Sequence, residues 1–103
     1  MSENHKDWIY ISGPITGVKN YIQNFTEAEV RLSKDGWQVI NPAKMGTILP
    51  GDASWADFMK VDFVLLSHCA AIYMLPNWEK SRGAKAEIAF ARDNGIHVMF
   101  HSA

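Results

Sequence analysis

Disulfides, an excess charge and long apolar runs are all missing from this chain, and each absence narrows what it can be. Of 103 residues only Cys69 is a cysteine, so no internal disulfide framework can form and a reducing cytoplasm is the expected home. Ten Lys and Arg stand against eleven Asp and Glu, a net charge of −1. The basic surplus needed to hold a nucleic-acid polymer or an anionic membrane surface is therefore missing. No apolar run approaches the roughly 20 residues of a membrane span. The polar start from Met1 to Asp7 lacks the apolar centre of a secretory signal, and residues 1–6 are expected to be flexible. Seven Gly and four Pro are too few for collagen or Pro/Gly-rich disorder. With 48% hydrophobic and 20% charged residues, what remains is one small globular domain spanning residues 1–103.

Four apolar runs rich in β-formers are present: Trp8–Ile11, Trp37–Ile40, Ala71–Leu75 and Ile96–Phe100. The second alternates, as a half-covered edge strand does; the others are nearly continuous, which predicts strands covered on both faces. Between them lie three segments with helical features. The first runs from about Asn20 to Lys34 and stops at Asp35-Gly36. The second starts at Ser54, which forms an S-x-x-D capping pattern with Asp57, and continues to about Ser67. The third opens near Ser81 and stops at Asn94-Gly95. Strict β-α alternation predicts an α/β, single-domain, three-layer sandwich: a four- or five-stranded mostly parallel sheet, flavodoxin- or Rossmann-like in order 2-1-3-4, with helices on both faces. Pro42 to Ala53 reads as a long loop. Ligands of open α/β sheets lie at the carboxyl ends of the strands, here Ser12-Gly13-Pro14, Asn41-Pro42, Pro76-Asn77-Trp78 and His101-Ser102.

Two carboxylates fall on the wrong side of their helices. On a helical wheel Glu87 lies within the apolar arc of Ala84, Ile88, Phe90 and Ala91, and Asp62 lies within that of Trp55, Phe58, Met59, Leu65 and Leu66. A buried ionised carboxylate without partners costs several kcal/mol, so each needs a pair, a hydrogen-bond network or a chemical task. Either acid can serve structure alone by accepting loop N–H groups or by pairing with Lys19, Arg31 or a histidine. Two of them on consecutive helices favour a shared pocket. Carboxylates in different environments are the usual equipment of glycosidic-bond chemistry, one as nucleophile or charge stabiliser and the other as proton donor or base.

The third helix opens with Ser81-Arg82-Gly83-Ala84. Ser81 suits a cap, and Gly83 leaves backbone N–H groups accessible at a helix start whose partial positive charge favours an anion. The first loop, Ser12-Gly13-Pro14-Ile15-Thr16-Gly17, is a second place where backbone meets ligand. It is neither a Walker A loop nor a G-x-G-x-x-G fingerprint.

Ile9-Tyr10-Ile11-Ser12-Gly13-Pro14-Ile15-Thr16-Gly17, Asn24-Phe25, Val39-Ile40-Asn41-Pro42-Ala43, Trp55-x-x-Phe58-Met59-x-x-Asp62 and Trp78-Glu79-x-Ser81-x-Gly83-Ala84-x-x-Glu87 together resemble a small domain of unknown function common in phages and bacteria. That domain is similar to a compact branch of the nucleoside 2-deoxyribosyltransferase superfamily, which includes deoxynucleoside 5′-monophosphate N-glycosidases. The resemblance spans about Trp8 to Phe100. It implies that Glu87 is the catalytic carboxylate acting at C1′ of the deoxyribose, Asp62 the acid serving the base, and Tyr10 the first-strand tyrosine near Glu87. It further implies that Ser81 and Gly83, with Ala84 beside them, hold a 5′-phosphate, and that Gly13 and Pro14, following Ser12, flank sugar and base. The chain departs from the pattern once: Ala70 stands where the family usually carries an aspartate. That change favours an alternative function, a non-catalytic nucleotide-binding module.

The resulting expectation is an enzyme that cleaves or transfers the N-glycosidic bond of a deoxynucleoside or its 5′-monophosphate. It would use no cofactor and no metal, span no membrane, bind no nucleic-acid polymer and act as a homodimer or larger homo-oligomer. His97 and His101 lack a third ligand at metal spacing. Cys69 reads as a small buried apolar residue, Trp55 and Tyr73 read as core, and Trp78 sits in a loop.

Overall fold

A computed structural model describes residues 7–102; the expectation for residues 1–6 lies outside them. The elements are β1 (Trp8–Ser12), α1 (Tyr21–Lys34), β2 (Gln38–Ile40), α2 (Trp55–Ser67), β3 (Ala71–Met74), α3 (Arg82–Asp93) and β4 (His97–Phe100). All strand pairs are parallel, in the order β2-β1-β3-β4. The fold is the expected Rossmann-like sandwich with four strands.

Residue parity in β1 decides which side chains meet. Successive strand residues face opposite sides of a sheet. Ile9 and Ile11 pack with Phe25, Ala28 and Leu32 of α1, and with Ala71, Tyr73 and Leu75. Tyr10 points the other way, into Leu66, Ile72, Met74, Ala84, Ile88 and Ala91 beneath α2 and α3. Ser12 shares the parity of Tyr10, and both are fully enclosed. The strand thus delivers two hydroxyls to the α2/α3 side of the sheet.

The helix starts follow from their caps. At α2, Ser54 Oγ accepts from Asp57 N–H and the Asp57 carboxylate accepts from Ser54 N–H, closing the capping box. At α3, Ser81 Oγ accepts from Ala84 N–H at 3.1 Å. Gly36 and Gly95, just past α1 and α3, take positive φ, the left-handed conformation that ends a helix at low cost in glycine.

Three expectations need correcting. The Pro42–Ala53 stretch is not all loop: Pro42–Thr47 forms a 3-10 helix, capped by Asn41, whose side chain accepts from Ala43 N–H at 3.0 Å. The strand β4 is not covered on both faces; as a sheet edge it leaves His97 and Phe100 exposed. Trp55 is not core. It is 43% exposed, with the Arg82 guanidinium stacked 3.7 Å from its ring centre. Tyr73 and Cys69 are buried as expected, and burial pushes the Cys69 thiol up to about 12.

Candidate active site

A cavity of about 390 Å³ opens between the β1–α1 loop, the 3-10 segment after β2, and the first turns of α2 and α3. Asp62 and Glu87 both line it, as do Gly13, Ser81, Gly83 and Ala84. Aromatic rings from Tyr21, Phe25, Trp55 and Phe58 supply much of the remaining wall. The volume and the mix of apolar wall with few polar groups fit a small-molecule site.

Glu87 is 5% exposed, yet among the described residues neither a cation nor a backbone N–H bonds it. Instead the Tyr10 hydroxyl donates to Oε2 at 2.7 Å and the Ser12 hydroxyl to Oε1 at 2.6 Å. Arg31, one of the cations that might have paired with an acid, is bonded to Tyr73 and His101 on the opposite side of the sheet. Burial pushes the Glu87 carboxyl up to about 8, against the downward pull of the Ser12 and Tyr10 bonds and with the Asp62 charge adding to the rise. Asp62 is partly buried and raised as well, chiefly by burial, with Glu87 and Tyr10 pulling it down. Its Oδ1 is buried and, among the described residues, without a hydrogen-bond partner. The Tyr10 hydroxyl is raised well above the ordinary tyrosine value by burial and by the charges of Glu87 and Asp62, so it stays a proton donor. Two carboxyls this close and this enclosed titrate as a pair.

The sequence-derived site residues fall into three groups. Glu87, Asp62, Gly13, Ser81, Gly83 and Ala84 share the cavity. Tyr10 and Ser12 stand behind Glu87 as its hydrogen-bond donors. Pro14 lines a neighbouring cavity on the far side of the β1–α1 loop. Gly83 and Gly13, both lining the cavity, differ in the room around them. A Cβ added at Gly83 would come no closer than 3.5 Å to Met59 and 3.8 Å to Trp55, so the space there belongs to the cavity rather than to tight packing. Gly13 is different: a Cβ would lie 2.7 Å from Leu75 Cβ, so only glycine lets the loop run this close to β3. Sequence reading missed the holding role of Ser12, although its shared parity with Tyr10 carried the signal. It also missed the Trp55–Arg82 stack, for which adjacency of two helix starts was the only hint.

Fold and site together define a class, a parallel α/β sandwich with an enclosed carboxylate pair beside a helix start. The chain belongs to the family described as Domain of unknown function (DUF4406), whose model matches residues 7–100. Comparison with curated proteins gives no match. Among the described residues no helix is long and apolar enough to cross a membrane, and no group of three or more His, Cys, Asp and Glu is placed to hold a metal ion.

Proposed function

We propose that this protein breaks the N-glycosidic bond of a deoxynucleoside or its 5′-monophosphate, passing the sugar to water or to a second base. The observation that carries the reading is the meeting of Asp62 and Glu87 in one cavity, with Glu87 gripped by two hydroxyls. At neutral pH the pair retains a proton, because burial raises both members. Burial alone would seat that proton on Glu87, the more enclosed acid. The two hydrogen bonds argue otherwise: both Glu87 oxygens accept, as a carboxylate's do, and a protonated Glu87 would have to turn one hydroxyl away. The charge therefore rests on Glu87 and the proton on Asp62.

In this reading the bond from C1′ to the base nitrogen lengthens, and its electron pair leaves with the base. Asp62 protonates the departing base, and Glu87 either captures C1′ covalently or stabilises the oxocarbenium-like sugar. Water then adds its oxygen to C1′, releasing the Glu87 carboxylate where the covalent bond has formed, and returns a proton to Asp62, or a second base takes the place of water. Ser81 and the backbone N–H groups around Gly83 line the cavity at the start of α3 and in this reading hold the 5′-phosphate, with Arg82 at the same helix start. The aromatic walls suit a base. We place the protein in the cytoplasm and expect protomers to pair, with the exposed Val64 of α2, on the face turned away from the cavity, as one contact point.

The second reading, a nucleotide-binding module without turnover, rests on Ala70. That residue heads β3, where its N–H bonds Trp8 O and its carbonyl accepts from His97 N–H, and it does not line the cavity. Its substitution leaves the acid pair in place. The test is incubation of purified protein with deoxynucleosides and their 5′-monophosphates, with chromatography for free base. Base release that falls by about 10²–10⁴ in Glu87→Gln supports the enzyme. Thermal stabilisation by the same compounds without any release supports the module.

A further inference from the structure

The cavity beyond the β1–α1 loop, about 490 Å³, has no part in the acid-pair chemistry. It lies between that loop, α1 and the segment after β3, at the carboxyl ends of β3 and β4, where ligands of open α/β sheets are found. Arg31, Lys80, His101, Glu27 and Asn77 are among its walls.

Arg31 is held there in an unusual way. Its Nη1 donates to the Tyr73 hydroxyl at 3.0 Å and lies 3.1 Å from His101 Nδ1, which in turn lies 2.9 Å from the Tyr73 hydroxyl. A guanidinium can only donate, so the Tyr73 hydroxyl oxygen accepts from Arg31, and His101 Nδ1 closes a three-membered cluster with the two. Neither partner of Arg31 is a carboxylate. Tyr73 is 5% exposed, which makes it a fixed post. Among the described residues neither Arg31 nor Lys80 bonds a carboxylate, and Glu27, the one acid in the lining, is bonded by Gln23. The wall thus carries two permanent cations against one carboxylate. A guanidinium anchored through one nitrogen offers its remaining N–H groups as a preset fork for an oxyanion.

We propose that this cavity binds a small molecule bearing a phosphate monoester, with Arg31 gripping the phosphate oxygens and Lys80 supplying the second charge. Two cations match a dianionic group better than a single carboxylate. The volume falls within the range of about 300–1,000 Å³ typical of small-molecule sites, so the phosphate carries an organic part.

The experiment is an amide and histidine-ring NMR titration of the full chain with inorganic phosphate, then glucose 6-phosphate, with acetate as the carboxylate arm and ionic strength held constant. The expected result is saturable shifts at Asn77, Lys80 and the His101 ring, with glucose 6-phosphate binding more tightly than phosphate. Arg31→Gln, which keeps an N–H donor for Tyr73, weakens binding by at least about tenfold. Arg82→Gln, at the other cavity, leaves it unchanged. If Arg31→Gln does not fold, Lys80→Gln carries the same test with a smaller loss. Absence of saturable shifts, an equal response to acetate, shifts confined to Ser81–Gly83, or undiminished binding by the folded variant would each overturn the proposal.

Discussion

Replacing Glu87 by Gln removes a buried titrating group with almost no change of shape, and it should alter how stability depends on pH. The proton that Asp62 and Glu87 share is held up to about pH 8, the value to which burial raises the Glu87 carboxyl from an ordinary 4.5. A group raised on folding binds its proton more tightly in the native state. Its contribution to stability is complete below the unfolded value and is lost as pH rises towards the folded one. At about 1.4 kcal/mol per pH unit, the gap sets an upper bound of about 5 kcal/mol. Water in the open cavity and relaxation around the pair lower this, so a loss of about 2–3 kcal/mol between about pH 5 and 8.5 is expected. For a domain of this size that corresponds to a fall in Tm of about 10–20 °C. Glu87→Gln should abolish most of the slope, leaving the smaller part due to Asp62. Wild type should be the more stable protein in acid, and the variant in mild alkali. Urea unfolding of both at a series of pH values and fixed ionic strength measures the difference directly, and exposed groups cancel in the comparison. Parallel curves for the two proteins would refute the assignment of a shared, enclosed proton to Asp62 and Glu87.

Three further outcomes follow from the same geometry. Ser12→Ala removes a donor that lowers the Glu87 value, so the acid limb of any base-releasing activity, which follows ionisation of Glu87, should move to higher pH, read from rate against pH; an unmoved limb would separate Ser12 from the titration. Gly13→Ala places a methyl 2.7 Å from Leu75 Cβ and should cost about 1–3 kcal/mol, measured by urea unfolding. Part of that loss should be recovered when Leu75→Ala is added, giving a favourable coupling in a double-mutant cycle. Cys69 is buried with its thiol pushed up to about 12, so an aromatic disulfide reagent should modify it slowly in native protein and rapidly in urea, followed by absorbance.

Strand and helix positions could be read from the sequence because their signals are local: apolar runs, the Ser54–Asp57 box, the glycines after α1 and α3. The inward stance of Asp62 and Glu87 followed from helical periodicity alone. What the sequence did not reveal depends on residues far apart in the chain. The bond from Ser12 to Glu87 spans 75 positions and that from Arg31 to Tyr73 spans 42, and no window-based pattern carries either. For Trp55 an apolar residue on an apolar arc predicts core, whereas it occupies the first position of α2 and is exposed beside the cavity. The exposure of β4 is likewise a property of sheet order rather than of its own residues.

The β1–α1 loop is a single sheet of backbone between two chambers. Gly13 and Ile15 face one, Pro14 and Val18 the other, and Thr16 touches both. A partition one residue thick cannot bulge towards one tenant without retreating from its neighbour. By whatever factor an occupant on one side changed the affinity of the chamber behind the wall, an occupant there would change the first affinity by the same factor, by thermodynamic reciprocity.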